Sequence, residues 1–235
     1  MRLAIMQPYF FPYVGYFQLI AAVDRFVVYD DVAFIKNGWI NRNRILTSNG
    51  PEYFTVPLSE ASSFKSIRET RCVAPRSWRE KMLRTLEQAY ARAPERAVGM
   101  ALVCRVLEVA EAESIRDLAV ASVRAVCEFA QLGTAFRDSS ASYGNEGLHA
   151  MERVLDICRL EGATTYVNVP GGRALYDSAS FAARKLELRF LEPSLVPYPQ
   201  RRAKVFEPGL SVIDLIMNVT QRDVAQHLRS GTTVP

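Results

Sequence analysis

The chain begins with a short apolar run, Arg2–Met6, that stops at Gln7-Pro8. That pattern predicts a buried first strand followed by a loop through Tyr13. Apolar residues then recur at helical spacing over Gly15–Val23, Asp24 closes the segment, and Arg25–Tyr29 reads as a second strand from its Val, Phe and Tyr content. Strand, helix and strand within about thirty residues make a βαβ unit, whose crossover favours a parallel pair. Ile45–Leu46 and Tyr53–Leu58 flank Asn49-Gly50, a strong turn signal that predicts a β-hairpin.

After residue 75 the pattern becomes helical. Ser77 precedes a stretch rich in Arg, Glu and Leu to about Ala93, Pro94 opens a run to about Ala110, and Glu113–Leu132 closes at Gly133. Strand and helix signals alternate again in Thr134–Arg137, Asn145–Leu160, Thr164–Val169, Gly172–Lys185 and Leu186–Leu191. Ser211–Asn218 and a short amphipathic segment to about Leu228 predict two last helices. The expected fold is α/β: a Rossmann-like parallel sheet whose N-terminal βαβ unit is nucleotidylyltransferase-like, with an inserted helical lobe. Residues 1–74 and 134–235 would form two parts of one domain, and 75–133 the lobe.

Composition narrows the class. At 235 residues, 49% hydrophobic and 23% charged, the chain suits one packed globular domain of generous size. The net charge of +4 is dispersed, which allows anionic ligands without making a nucleic-acid footprint. No apolar run approaches the roughly 18–20 residues of a membrane span. Gln7, Pro8 and Pro12 interrupt the N-terminal apolar stretch, so it does not read as a signal peptide, and a cytoplasmic location is expected. Cys72, Cys104, Cys127 and Cys158 are far apart and lack a CxxC pair, which favours free thiols. His149 and His227 are the only histidines, so a His-rich metal centre is excluded and no metal ligands are assigned.

Five segments are unusual for packing alone. The loop from Gln7 to Tyr16 follows the first strand, where parallel sheets bind ligands; Gly15 there would let backbone approach an anion, with Gln7, Tyr13 and Tyr16 beside it. Its proline and aromatic residues equally suit a rigid plug of the core. Asp30 and Asp31 end the second strand and could bind a hydroxyl, hold a divalent cation or act as a base; adjacent strand residues face opposite ways, so one of them, preferably Asp30, would reach the cleft while Asp31 caps the next turn. Lys36, Trp39, Arg42, Asn43 and Arg44 lie within nine positions, joining donors for phosphate or carboxylate to an aromatic face. Asn168, Gly171 and Gly172 mark a second strand-to-helix turn. Tyr198 and Gln200 precede a segment in which Ser211 and Asp214 make a capping-box-like pattern.

Tyr13-Val14-Gly15-Tyr16 occupies the place of the HxGH signature of nucleotidylyltransferases, with both histidines absent; this resemblance bears on fold more than reaction. A wider resemblance runs nearly the whole chain. MQPYFFPYVGYFQLI from Met6, DRFVVYDDV from Asp24, KNGWINRNRI from Lys36, YFTVPL from Tyr53, TYVNVPGGRALYD from Thr165, YPQ from Tyr198 and FEPGLSVIDLIMN from Phe206 together resemble the WbqC-like protein family. The resemblance implies a protein of bacterial O-antigen or related polysaccharide clusters, for some of which glycyl or other aminoacyl transfer has been suggested. It brings no catalytic set.

The expected activity is transfer of an aminoacyl or acyl group to an amino sugar or comparable amine. Lys36, Arg42 and Arg44 would hold a phosphate of a nucleotide or activated acyl donor, with Lys36 also near the chemistry, and Gln7, Asn43 and Asn168 would fix orientation. Aminoacyl-tRNA is compatible as a donor. Nucleotidyl transfer or amino-acid adenylation, and a non-catalytic sugar-nucleotide-binding role, are the alternatives.

Overall fold

The structure, a computed structural model, describes residues 1–73, 77–108 and 114–235. Its centre is a six-stranded sheet built from β1 (Arg2–Met6), β2 (Arg25–Val28), β7 (Ala135–Arg137), β8 (Thr165–Asn168), β9 (Glu187–Glu192) and β10 (Thr232–Val234), in the order β10-β9-β8-β1-β2-β7. Every neighbouring pair is parallel except β9 with β10. β3 (Arg42–Thr47) and β4 (Gly50–Thr55) form the predicted hairpin, and β5 (Leu58–Ser59) pairs with β6 (Arg71–Cys72).

The apolar runs of the central strands reflect burial on both faces. Ala4, Phe26, Val28 and Val167 join one cluster with residues of α1 (Val14–Ala21), α2 (Ser77–Ala89), α3 (Arg96–Glu108), α4 (Ile115–Phe129), α7 (Val212–Asn218) and α8 (Gln221–Arg229). Leu3, Ile5, Val27 and Tyr166 join the other with α5 (Ala150–Leu160) and with Phe181 of α6 (Ser178–Ala182). The register Ile5↔Val27 and Leu3↔Tyr166 keeps each set on its own face. From β1 the chain moves through β2 to β7, then returns to the other side of β1 through β8 and β9. The strand order therefore reverses between β1 and β8, and the loops after both strands leave the same edge.

Three predicted helices are shorter than their patterns, the one from Ser77 ending at Ala89 and not near Ala93. The segment 145–160 becomes helical only at Ala150, because Gly144 adopts a left-handed conformation (φ 61°) and the Asn145 side chain bonds to Asp156 and Arg153. The segment 172–185 divides into a 3-10 turn at Pro170–Leu175 and α6, since Tyr176 is extended and the Asp177 carboxylate caps a new start by accepting from the Ala179 and Ser180 amides. The expected boundary at 74/75 and the helix ends at Ala110 and Glu113 touch positions outside the described residues. No helix among the described residues is long and apolar enough to cross a membrane.

Candidate functional site at the carboxyl edge of the sheet

The loop after β1 is docked onto the third predicted segment through backbone atoms. Phe10 donates its amide to Ile40 O, and Phe11 sits at φ 42°, a conformation that bulky residues adopt only under constraint. The constraint is visible: Phe11 O accepts from Asn43 Nδ2 (2.7 Å) and Ser211 Oγ (2.8 Å), while Phe11 N donates to Ser122 Oγ (2.9 Å). Arg44 O accepts from Ser211 N, and Pro12 O from Val212 N. Four widely separated pieces of sequence thus meet at one residue. Asn43 is absorbed by this junction, since its Oδ1 also accepts from Arg44 N.

Other predicted residues of these loops are likewise engaged by the protein. Tyr16 is buried and its hydroxyl donates to Gln7 O (2.8 Å), fixing the end of β1, and burial raises its phenol well above the ordinary value. A Cβ on Gly15 would stand 2.5 Å from the Tyr13 ring, so the glycine is needed for that ring to pack and not for an approaching anion. Asn168 is buried, accepts from Val169 N (2.7 Å), and leaves no room for a Cβ on Gly172 (2.6 Å). Gly171 lies open to solvent, with nothing within 4 Å of the point where a Cβ would stand. Arg42 donates to Gly38 O and Asn37 O and lies 4.6 Å over the Tyr53 ring, which in turn neighbours the exposed Trp39.

The acid pair differs most from expectation. Asp30 and Asp31 lie beyond the end of β2 at Val28, so strand alternation does not separate them: both accept from Ser140 Oγ, and a cation meets each of them. Asp30 is 1% exposed and accepts from Arg116 Nε (2.8 Å), Ser139 Oγ (2.7 Å) and Ser140 N (3.2 Å). Asp31 pairs with Arg153 Nη2 and accepts from Ser140 Oγ. The expectation of one free carboxylate at the cleft is therefore corrected. Together they fasten the β7–α5 connection to the end of β2. Sequence reasoning misses Arg116 and Arg153 because each lies on a helix far away in the chain.

Gln7, Lys36 and Arg44 are polar side chains with no protein partner among the described residues. Arg44 has its Nε buried and a guanidinium nitrogen close to where a Cβ on Gly209 would stand (3.8 Å). These three retain hydrogen-bonding capacity for a ligand.

Tyr198 and Gln200 converge elsewhere, on Asp214. Ser211 does cap α7, accepting from Ile213 N, but the Asp214 side chain does not complete a capping box. Its buried carboxylate accepts from Tyr90 Oη (2.9 Å), Tyr198 Oη (2.8 Å) and Gln200 Nε2 (2.9 Å). Burial raises its pKa above the ordinary 3.8, against the lowering by those hydrogen bonds. An acid with a raised folded pKa binds more protons folded than unfolded, so its contribution to stability falls as pH rises from about 3.8 through the raised value and is flat above it. The stability of the wild type minus that of Asp214→Asn should decline across that window, measured by urea unfolding at a series of pH values; a difference that rises with pH contradicts the assignment.

The cysteines are free, and burial pushes the Cys127 and Cys158 thiols up to about 12, so neither supplies a thiolate at neutral pH. Among the described residues no group of three or more His, Cys, Asp or Glu is arranged to hold a metal ion.

No solved structure matches the chain. A Mycobacterium tuberculosis protein described as "Uncharacterized protein Rv1507c" is 30% identical over 219 residues, covering 93% of this chain and 94% of that one. The sequence model of the WbqC-like protein family matches residues 7–226, a span that takes in the docked loops, the paired acids and the Asp214 cluster. The chain belongs to the WbqC-like protein family.

Proposed function

We propose that this protein is a transferase that moves an acyl or aminoacyl group from a phosphate-bearing donor to an amine, such as an amino sugar, in polysaccharide or natural-product biosynthesis in the cytoplasm. The observation that carries the reading is Arg44: a half-buried guanidinium without a protein partner, held by the Phe11 junction at the carboxyl edge of the parallel sheet. A cation so placed calls for an anion, and arginine presents a planar fork suited to phosphate. Lys36, exposed nearby in sequence, adds a mobile positive charge, and Gln7 a neutral donor and acceptor at the end of β1.

Attack by an amine on an activated acyl group needs positioning and a weak base more than a strong nucleophile. That suits a protein whose paired acids are held by cations and whose buried thiols stay protonated. A screen of nucleotides, nucleotide sugars and acyl donors by thermal shift, with mass spectrometry of each hit, tests it. The expected result is an acylated amine formed with consumption of the donor; tight binding without turnover of any donor contradicts it.

The strand order supports a second reading. Taken in chain order, the parallel strands lie as 3-2-1-4-5, with the reversal beside β1, an arrangement that supports a Rossmann-like fold with ligands at the switch point. Nucleotidyl transfer or amino-acid adenylation by the same cleft would give ATP–pyrophosphate exchange, which plain acyl transfer does not.

A further inference from the structure

A cavity of about 570 Å³ opens between the end of α2, the β3–β4 hairpin and α7, and Arg44 is not among its lining residues. Its wall includes Asp214 and Asn218, and its lining also includes Arg92 and Arg201. Asp214 is held by three neutral donors and no cation, an unusual condition for a carboxylate only 1% exposed. Asn218 is 7% exposed; its Nδ2 donates to Asp214 O, and its Oδ1 is buried with no partner. Both residues line the cavity, one carrying a carboxylate without a countercharge and the other a buried carbonyl without a donor. Native proteins rarely leave such a group unsatisfied without a role for it.

The cationic side is equally uncommitted. Arg92 and Arg201 are exposed and have no hydrogen-bond or ion-pair partner among the described residues. Arg202, which also lines the cavity, is instead fixed by Ala89 O and Gln88 O at the end of α2.

We propose that this cavity is a binding site for a small amphoteric molecule, whose primary ammonium group meets Asn218 Oδ1 and the Asp214 carboxylate while its phosphate or carboxylate meets Arg92 and Arg201. The three ammonium hydrogens supply the donor that Asn218 lacks and the positive charge that Asp214 lacks. The site stands independently of the transfer reaction, because none of its residues belongs to the Arg44 site.

Isothermal titration with glucosamine 6-phosphate and with γ-aminobutyrate separates an amino-sugar phosphate from an amino acid as the source of this chemistry. Glucose 6-phosphate and butyrate, which lack the amine, are the matched controls. At least one amine should bind saturably at one site, and at least about tenfold more tightly than its control, as loss of a charged hydrogen-bonding group implies. The double variant Arg92→Gln/Arg201→Gln, altered only at exposed positions, should weaken that binding by about tenfold or more with an unchanged melting temperature. Asn218→Leu should abolish it. If that variant does not fold, the arginine pair and the amine-free controls still decide. Binding of the control as tight as that of its amine, unchanged affinity in the arginine variant, or no saturable binding of either amine up to about 10 mM overturns the proposal.

Discussion

Arg153→Met should lower the free energy of unfolding by about 3–5 kcal/mol, the cost of leaving a buried charge without its partner. The Arg153 and Asp31 side chains are 4% and 6% exposed, and the guanidinium also donates through Nε to Asn145 Oδ1 (3.1 Å) and lies 5.1 Å from the centre of the Tyr29 ring. With the arginine gone, Asp31 keeps one hydrogen bond, from Ser140 Oγ, and no countercharge from its former partner. The effect belongs to the broken pair and not to the pair itself. Arg153→Met combined with Asp31→Leu should therefore recover most of the loss, because matched apolar replacement of a buried pair is often near neutral. Urea unfolding of the wild type, both single variants and the double variant measures it. A single-variant loss below about 1 kcal/mol, as for an exposed pair, would contradict this account of the acid pair.

The second large effect is expected at Asn43, which sequence reasoning places among the ligand-binding residues and the structure places inside the Phe11 junction. Asn43→Ala removes the donor to Phe11 O and the acceptor for Arg44 N at a position that is almost fully buried. Two lost hydrogen bonds in such a place, with Phe11 held at positive φ, should cost about 2–4 kcal/mol. Asn43→Asp should fare little better, since an ionised carboxylate cannot donate to Phe11 O. Melting curves and hydrogen exchange over residues 9–13 give the readout. Unchanged stability with weakened ligand binding would return Asn43 to the ligand.

What is legible in the sequence follows from local periodicity. Arg2–Met6, Arg25–Val28 and Thr165–Asn168 are strands buried on both faces, and such strands announce themselves as short apolar runs. Asn49-Gly50 marks the hairpin because few other residues tolerate the turn, and Gly50 does adopt φ 101°. β5, β6 and β10 escape such reading: two or three residues long, they carry too little alternation to stand out. The candidate segments are recognisably unusual, but the reason lies in contacts between distant parts of the chain. Asp30 looks like a cleft acid and Asp31 like a turn cap until α4 and α5 bring Arg116 and Arg153 against them. Gly15 looks like an anion-approach glycine and Gly172 like part of a ligand-side turn, and they make room for Tyr13 and Asn168. Asp214 looks like a capping residue because Tyr90, more than a hundred positions earlier, is invisible to local pattern.

The most direct test of the proposed function is a titration at Arg44 with ADP as the phosphate-bearing probe, run beside urea unfolding. The account predicts one-site binding to the wild type. Arg44→Gln should weaken it by about tenfold or more, as loss of a charge-assisted contact implies, while shifting stability by about 0.5 kcal/mol or less. Unchanged affinity together with a collapsed melting temperature would contradict the account, and would make Arg44 a structural residue.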